Sequence, residues 1–463
     1  MMSNPATQRL SASETTVDTR LAQYISGAIE RDLPAEVERK TRMHLLDTLV
    51  AIVSGRFLEP GAVAYRIGAA FGGPPEATLI GSDQRVGAVS AALANGMAAH
   101  ADETDDSHAR GRFHPGCAVV PAAIAVTERE GATGADLLRA IALGYDVGAR
   151  STIALGYDSP KSTRFSTHTI GGLFGAAAAA GALMRLSPAE TEALLSVTTQ
   201  QVSGLPYWNR DPDHIEKAFD FGGNGARSGV SAALMVRLGM TAPDQPLTAA
   251  RGYLDAYAEN PNPEALIDGL GESYEILAAS LKKWTVGSPI QSVLDALEAL
   301  TAANAFHWRE VRDFHLQLPS NRVHVVDNRD IPSICVQHLA ALMLVRGTVS
   351  FQDSHDDALM RDPDILALRG RIRVTPSDAL AAALPERQSI VELELSDGRT
   401  LRHHAKAVRG TPDNPMTMDD LRKKSVEILE GTLAGGAQAL CDTCLDGGDF
   451  AVAELLNACR TAD

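Results

Sequence analysis

From Leu21 to about Met240 the apolar positions recur at helical spacing. Arg42–Val53, Ala88–Ala101, Gly134–Arg150 and Gly225–Leu238 are the clearest segments, rich in Ala, Leu and Gly and poor in β-branched runs. Small residues at that spacing let helices pack closely. Gly72-Gly73-Pro74-Pro75 interrupts the series ahead of Ala77-Thr78-Leu79-Ile80, a short strand or loop, and Asn260-Pro261-Asn262-Pro263 closes it. The pattern then changes. Asp313–Leu318, Arg371–Val374 and Ile390–Leu395 alternate or run apolar in β fashion. The turn signal Ser396-Asp397-Gly398-Arg399 and the run Leu401–Val408 complete a hairpin. Met418–Leu433 and Phe450–Cys459 return to helix, and the polar residues 1–18 read as a loose arm. No repeat with a solenoid period is present. The elements predict a mainly α fold with a smaller α+β domain. A large helical domain built from both chain ends is expected over residues 19–284 and 411–463, and the α+β domain over 285–410.

Composition sharpens this picture. With 463 residues, 45% apolar and 22% charged, the chain has ample surface to bury, which excludes disorder over most of its length. The 5% aromatic content fits many tightly packed helices better than a β-sandwich. There are 42 Lys+Arg against 58 Asp+Glu, a net charge of −16, and the longest basic run is Arg422-Lys423-Lys424. Such a chain repels phosphate backbones and acidic lipid, so nucleic acid is not an expected partner. An anionic substrate would need a local basic pocket. Five cysteines argue against a disulfide scaffold, the opening residues contain no apolar leader, and no window is apolar enough to span a membrane. The expected address is the cytoplasm.

The densest polar cluster is His100-Ala-Asp-Glu-Thr-Asp-Asp-Ser-His108, followed by Ala-Arg110-Gly-Arg112-Phe-His114-Pro-Gly-Cys117. It lies between two apolar helical segments. One reading is a solvated loop with Asp and Ser as caps. The other is a site, because so many ionisable groups are costly to bury unless they are paired or working. Arg164-Phe-Ser-Thr-His168-Thr-Ile-Gly171-Gly172-Leu-Phe-Gly175 precedes an Ala-rich helix. Its glycines do not match the dinucleotide fingerprint, and close helix packing is the preferred reading. Lys217 leads into the glycine-rich start of a helix, where an anion could gather; the bland reading is a surface lysine. Lys282-Lys283-Trp284 closes the helical half. Asp105, Asp106, His108 and His114 follow no strict metal-ligand spacing. Cys441-Asp-Thr-Cys444 lacks a second pair and reads as structural. Asp353-Ser-His355, with Asp356 and Asp357 behind it, reads as a solvated turn.

In their order along nearly the whole chain, from about Leu21 to Leu456, these stretches resemble the MmgE/PrpD family. The run comprises the acidic cluster, His-Pro-Gly, Ala-Val-Val-Pro-Ala-Ala-Ile-Ala-Val-Thr-Glu, Gly-Tyr-Asp-Val-Gly-Ala-Arg, Phe-Gly-Ala-Ala-Ala-Ala-Ala, and Gln-Val-Ser-Gly-Leu before the lysine. The family includes 2-methylcitrate dehydratases, cis-aconitate decarboxylases and iminodisuccinate epimerases. The resemblance implies that the α+β domain is a lid. It also implies a homodimer, a site between the two domains, no metal or organic cofactor, and a small anionic di- or tricarboxylate substrate. The family's acidic motif matches Glu103-Thr104-Asp105-Asp106-Ser107, its histidine-proline matches His114-Pro115, and its two lysines match Lys217 and Lys282. Its lid tyrosine falls near His338. There are departures. Glu103 stands for Asp and Ser107 for Thr, and Ser166 occupies the usual histidine position, with His168 two residues later.

The resemblance implies proton transfer at a carbon next to a carboxylate, which needs a base or acid and a cationic hold on the developing enediolate. His114, His168, Lys217, Lys282 and Asp105 are the expected catalytic residues. Glu103, Asp106, Ser107, His108, Arg110, Arg112 and His338 are expected to bind substrate. The expected activity is that of a cofactor-independent lyase, a dehydratase or a decarboxylase. The alternatives are a two-base epimerase of an amino- or imino-dicarboxylate, and a non-catalytic carboxylate-binding homologue.

Overall fold

The computed structural model describes residues 15–156, 164–384 and 386–462. Residues 1–14 of the expected arm lie outside the described set. Its last residues are not loose, because the helix Val17–Ser26 starts there on a Thr16 cap and Asp18 is buried. Asp18 accepts from Leu247 N at 2.7 Å, which ties this helix to a distant loop.

The main body is helical. Its principal members are Ala35–Gly55, Ala88–Ala99, Gly116–Glu130, Gly134–Ile153, Thr167–Leu183, Pro188–Gln200 and Asn224–Arg237. Ala88–Ala99 and Thr167–Leu183 are apolar on nearly every face and are buried among other helices along most of their length. Their small residues set the spacing. Gly144 and Gly148 face Gly171 and Gly175 across one helix pair, and a Cβ on Gly175 would lie 2.5 Å from the Gly144 carbonyl oxygen. The glycine series before the Ala-rich helix is therefore a packing face.

The C-terminal helices belong to the same hydrophobic core. Leu421, Leu429, Leu440, Cys441, Cys444 and Cys459 are buried together with residues of Ala35–Gly55. Met418–Leu429 stops short of Leu433, with Gly431 at φ 72 two residues beyond. The helix Ala437–Leu445, which the sequence pattern did not predict, carries Cys441 and Cys444 as free buried thiols. A buried ion pair, Lys424 Nζ to Asp47 Oδ1 at 2.7 Å, joins the two chain ends.

A second hydrophobic core runs from Trp284 to Ala405. It is built on a four-stranded mixed sheet in the order Ile372–Ser377, Val311–Pro319, Ser389–Leu395, Thr400–Ala405. The first pair is parallel and the other two are antiparallel, with Leu393 opposite Leu401 in the hairpin. Alternating burial along Ser389–Leu395 shows one face packed on the helices Gln291–Ala303 and Val336–Arg346. The fold is thus mainly α with a smaller α+β part. Of Ala77–Ile80 only Ala77–Thr78 forms a strand, paired with Arg85–Val86.

Asp353-Ser354-His355 is not a solvated turn. Ser354 is buried, and His355 Nε2 lies 2.9 Å from Asp102 Oδ2. The local run of acidic residues suggested exposure, but a partner distant in sequence buries the imidazole.

Candidate active site

The acidic loop is a buried hub. His100 to His108 are all buried, and each of the four carboxylates meets a different part of the fold. Asp102 accepts from the Thr104 backbone N–H and hydroxyl, both at 2.7 Å, besides its pair with His355. Glu103 sits between two ammoniums, bonded to Lys217 and 3.3 Å from Lys282. Asp105 accepts from His100 Nδ1 at 2.9 Å and stands 3.3 Å from His114 Nδ1. Asp106 accepts from His44 Nδ1 at 2.7 Å, Tyr145 Oη at 2.6 Å and the Gly116 backbone N–H at 3.0 Å. Buried carboxylates persist only when satisfied in this way.

Backbone pairing explains how Lys282 reaches this loop. Ser107–His108 pairs antiparallel with Ala279–Ser280, Ser107 opposite Ser280. Continuing that register puts Lys282 opposite Asp105. Its Nζ donates to the Glu103 carbonyl at 2.8 Å and lies 3.7 Å from Asp105. Lys217 arrives differently. It is held by its own N–H on Asp211 Oδ2 at 2.8 Å, in the short helix Ile215–Ala218. The next five residues, Phe219–Gly223, form a π turn before Asn224–Arg237. π turns inside helices are often found at functional sites. This one turns Phe221 inward, where its ring stacks on His168 with centroids 3.6 Å apart and on His100 at 4.4 Å. Asp220 accepts from the hydroxyls of Ser166 and Thr169, which pins the start of the His168 helix. Ser166 thus serves to fix that helix.

Burial pushes His114 down to about 4, although Asp105 opposes the shift. Burial is the main cause holding His168 well below the usual imidazole range, and protonation beside His114, His100 and Lys217 would be opposed further. Both shifts favour the neutral imidazole at pH 7. For Glu103, burial favours the neutral acid, but Lys217 and Lys282 outweigh it and keep the carboxyl well below its usual range. For Asp105 the same burial is outweighed by His100, His114 and Lys282.

Above this hub lies a cavity of about 520 Å³ between the two cores. One wall carries Glu103, His114, His168, Trp208, Lys217 and Phe221; the other comes from segments 287–289, 321–334 and Arg387. Among the described residues, five Lys or Arg side chains line it (Arg112, Lys217, Arg322, Arg329 and Arg387) against two carboxylates, Glu103 and Asp211. This is a local basic pocket in a strongly acidic chain.

Several expected site residues lie elsewhere. Arg110 is 66% exposed and turned to Glu275, whereas Arg112, at φ 52 at the end of the same turn, lines the cavity. His108 donates from Nε2 to the Glu275 carbonyl and accepts the Gly111 N–H on Nδ1, so it folds the loop back on itself. Asp106 is sealed beneath the site by His44 and Tyr145. His338 faces into the smaller core from Val336–Arg346, away from the cavity, where burial and the charge of Arg369 lower it to about 4. Asp105 and Lys282 lie behind the lining residues and act on them at close range. Ser107 accepts from Arg387 Nη1 at 3.0 Å. The sequence reading passed over Arg322, Arg329, Arg387, His214 and Phe221. His214, three residues before Lys217, carried the only local signal.

Among the described residues, two groups bring ligand atoms within 4.8 Å of one another: His100 with Glu103 and His214, and His100 with Asp105 and Cys117. Their surroundings suit a cation poorly. Lys217 and Lys282 already neutralise Glu103, and burial raises the Cys117 thiol well above its usual range.

Residues 19–266 match the family model of the MmgE/PrpD N-terminal domain, and residues 284–446 match that of the C-terminal domain. A human protein named cis-aconitate decarboxylase is 26% identical over 88% of this chain and 87% of its own length. An Aspergillus terreus protein of the same name is 23% identical over 80% of each chain. The mouse protein of that name is 25% identical over 88% of this chain and 86% of its own length.

Proposed function

The chain belongs to the MmgE/PrpD family, and from that premise we propose that it is a lyase that removes CO2 from a small unsaturated tricarboxylate of the cis-aconitate kind. The observation that carries this reading is the basic, imidazole-lined cavity in a chain of net charge −16. The names of the relatives favour loss of carboxylate over loss of water.

The chemistry divides among the residues present. Breaking the bond to the departing carboxylate leaves an electron pair that shifts through the double bond, and the far alkene carbon takes a proton. The charge that develops next to a remaining carboxylate falls to Lys217 and the nearby ammonium of Lys282. His114 delivers the proton. Burial favours its neutral form, and the negative charge of a bound substrate raises its proton affinity. Asp105, 3.3 Å from Nδ1, holds the ring and balances the imidazolium. Residues of this chain suffice for the steps described, and the proposal includes no cofactor.

The epimerase alternative needs two bases on opposite faces of one carbon. His114 and His168 are neighbours on one wall, centroids 5.4 Å apart and both against Phe221, which favours the lyase. The family resemblance also carries a homodimer. Phe71, Leu238 and Met240 are exposed apolar side chains that a second copy could cover. No described helix is long and apolar enough to cross a membrane.

The test is CO2 release from cis-aconitate by the wild-type chain, His114→Ala and Lys217→Ala. Removing a positioned acid or base costs about a hundredfold to ten-thousandfold. Wild-type turnover in both variants would overturn the site, and no CO2 from the wild type would overturn the reaction.

A further inference from the structure

The lysine end of the cavity is already partly neutralised, since Lys217 and Lys282 share Glu103, and Lys282 also approaches Asp105. The opposite wall is different. Arg387 and Arg322, both from the smaller unit, reach the cavity near Arg112. Glu386, the one carboxylate paired with either of the two among the described residues, stands 3.9 Å from Arg322, beyond hydrogen-bond distance. Burial and the charge of Arg322 lower Arg387 to about 10, and Arg322 is itself lowered by burial and the charge of Arg112.

Arg322 and Arg387 are half-buried, and like charges drawn together away from bulk water are unfavourable unless an anion joins them. The Arg387 backbone is also held at φ 68, a conformation that costs a non-glycine residue free energy. Arg387 Nη1 donates to Ser107 Oγ at 3.0 Å, so its guanidinium is anchored from the acidic loop while the side chain lines the cavity. A guanidinium fork matches a carboxylate in two-point geometry, which an ammonium does not.

We propose that Arg387 and Arg322 form a carboxylate subsite on the smaller unit's side of the cavity, selecting ligands with a carboxylate beyond those met by the lysine end. This rests on the carboxylate reading of the site and deepens it, because it makes the preferred substrate a tricarboxylate. The subsite also links recognition to the contact between the two cores, since the same guanidinium holds Ser107.

The test uses two unreactive probes, tricarballylate with three carboxylates and glutarate, the same chain without the central one. Each is titrated calorimetrically into the full-length wild type, Arg387→Met, Arg322→Met and Arg387→Lys, with thermal unfolding to check the fold. The wild type binds tricarballylate more tightly than glutarate. Arg387→Met and Arg322→Met weaken tricarballylate by about tenfold to a hundredfold, the range for a hydrogen bond to a charged group. Glutarate affinity stays within about twofold. Arg387→Lys, which keeps the charge and loses the fork, gives a smaller loss for tricarballylate alone. Equal weakening of both probes, or of neither, overturns the subsite and leaves the carboxylate reading standing. If the wild type binds neither probe, the carboxylate reading fails and the subsite fails with it.

Discussion

Replacing Glu103 with Gln removes the charge that two ammoniums share and leaves the shape nearly unchanged. Breaking a buried ion pair from one side costs about 3–5 kcal/mol when the remaining charge has no other partner. Here the remaining charges do have partners. Lys282 keeps the Glu103 carbonyl at 2.8 Å and Asp105 at 3.7 Å. Lys217 is 12% exposed and lies 5.2 Å from the face of Phe221. The expected destabilisation is therefore about 2–3 kcal/mol, below that range. The cavity also becomes more cationic, so an anionic ligand should bind Glu103→Gln more tightly than wild type. Tricarballylate at a hundredfold excess over its Kd adds about 2.7 kcal/mol to the folded state, enough to offset the loss. Urea unfolding of wild type and variant, with and without tricarballylate, reads both effects. A variant as stable as wild type without ligand, or a gap that stays constant as ligand is added, would refute the ion-pair reasoning.

Three further outcomes are expected. Tricarballylate binding near pH 6.5 should be coupled to proton uptake at His114, because the ligand's charge raises it from about 4; calorimetry in two buffers of different ionisation enthalpy counts the protons, and His114→Gln should reduce the count. His355 is raised above its unfolded value, chiefly by Asp102 acting against burial, so its stabilisation is fully present below about pH 6.5 and fades as pH rises through the folded value. His355→Gln should therefore lower stability by about 1–3 kcal/mol at pH 6 and by less at pH 9; an equal loss in thermal midpoint at both would contradict the pair. Gly175→Ala forces a Cβ to within 2.5 Å of the Gly144 carbonyl oxygen and should cost about 1–3 kcal/mol or more, whereas Gly435→Ala meets nothing within 4 Å and should leave thermal unfolding almost unchanged.

The helical half was legible in the sequence because its helices are long and almost wholly apolar, and the strands because their alternation faces one core. The acidic loop and the two lysines stood out by residue type and by their order along the family. What could not be read is set by pairing between distant segments. Lys282 meets Asp105 through an antiparallel register between residues 107–108 and 279–280, and His355 is buried by Asp102. Arg322 and Arg387 lie in loops with no period, and only the packing of the smaller unit brings them to the cavity. His338 illustrates the converse error. An alignment position near a functional tyrosine says nothing about helix phase, and here the phase points the side chain into the core.

The most direct test of the account is an NMR time course of the chelator-treated protein with cis-aconitate in deuterated buffer, run beside citrate and 2-methylcitrate. The account predicts that cis-aconitate alone loses one carboxylate, and that the product carries a shifted double bond and one deuterium on the carbon protonated from His114. Elimination of water from 2-methylcitrate with cis-aconitate left intact would contradict it, as would deuterium exchange into any of the three without loss of a carboxylate.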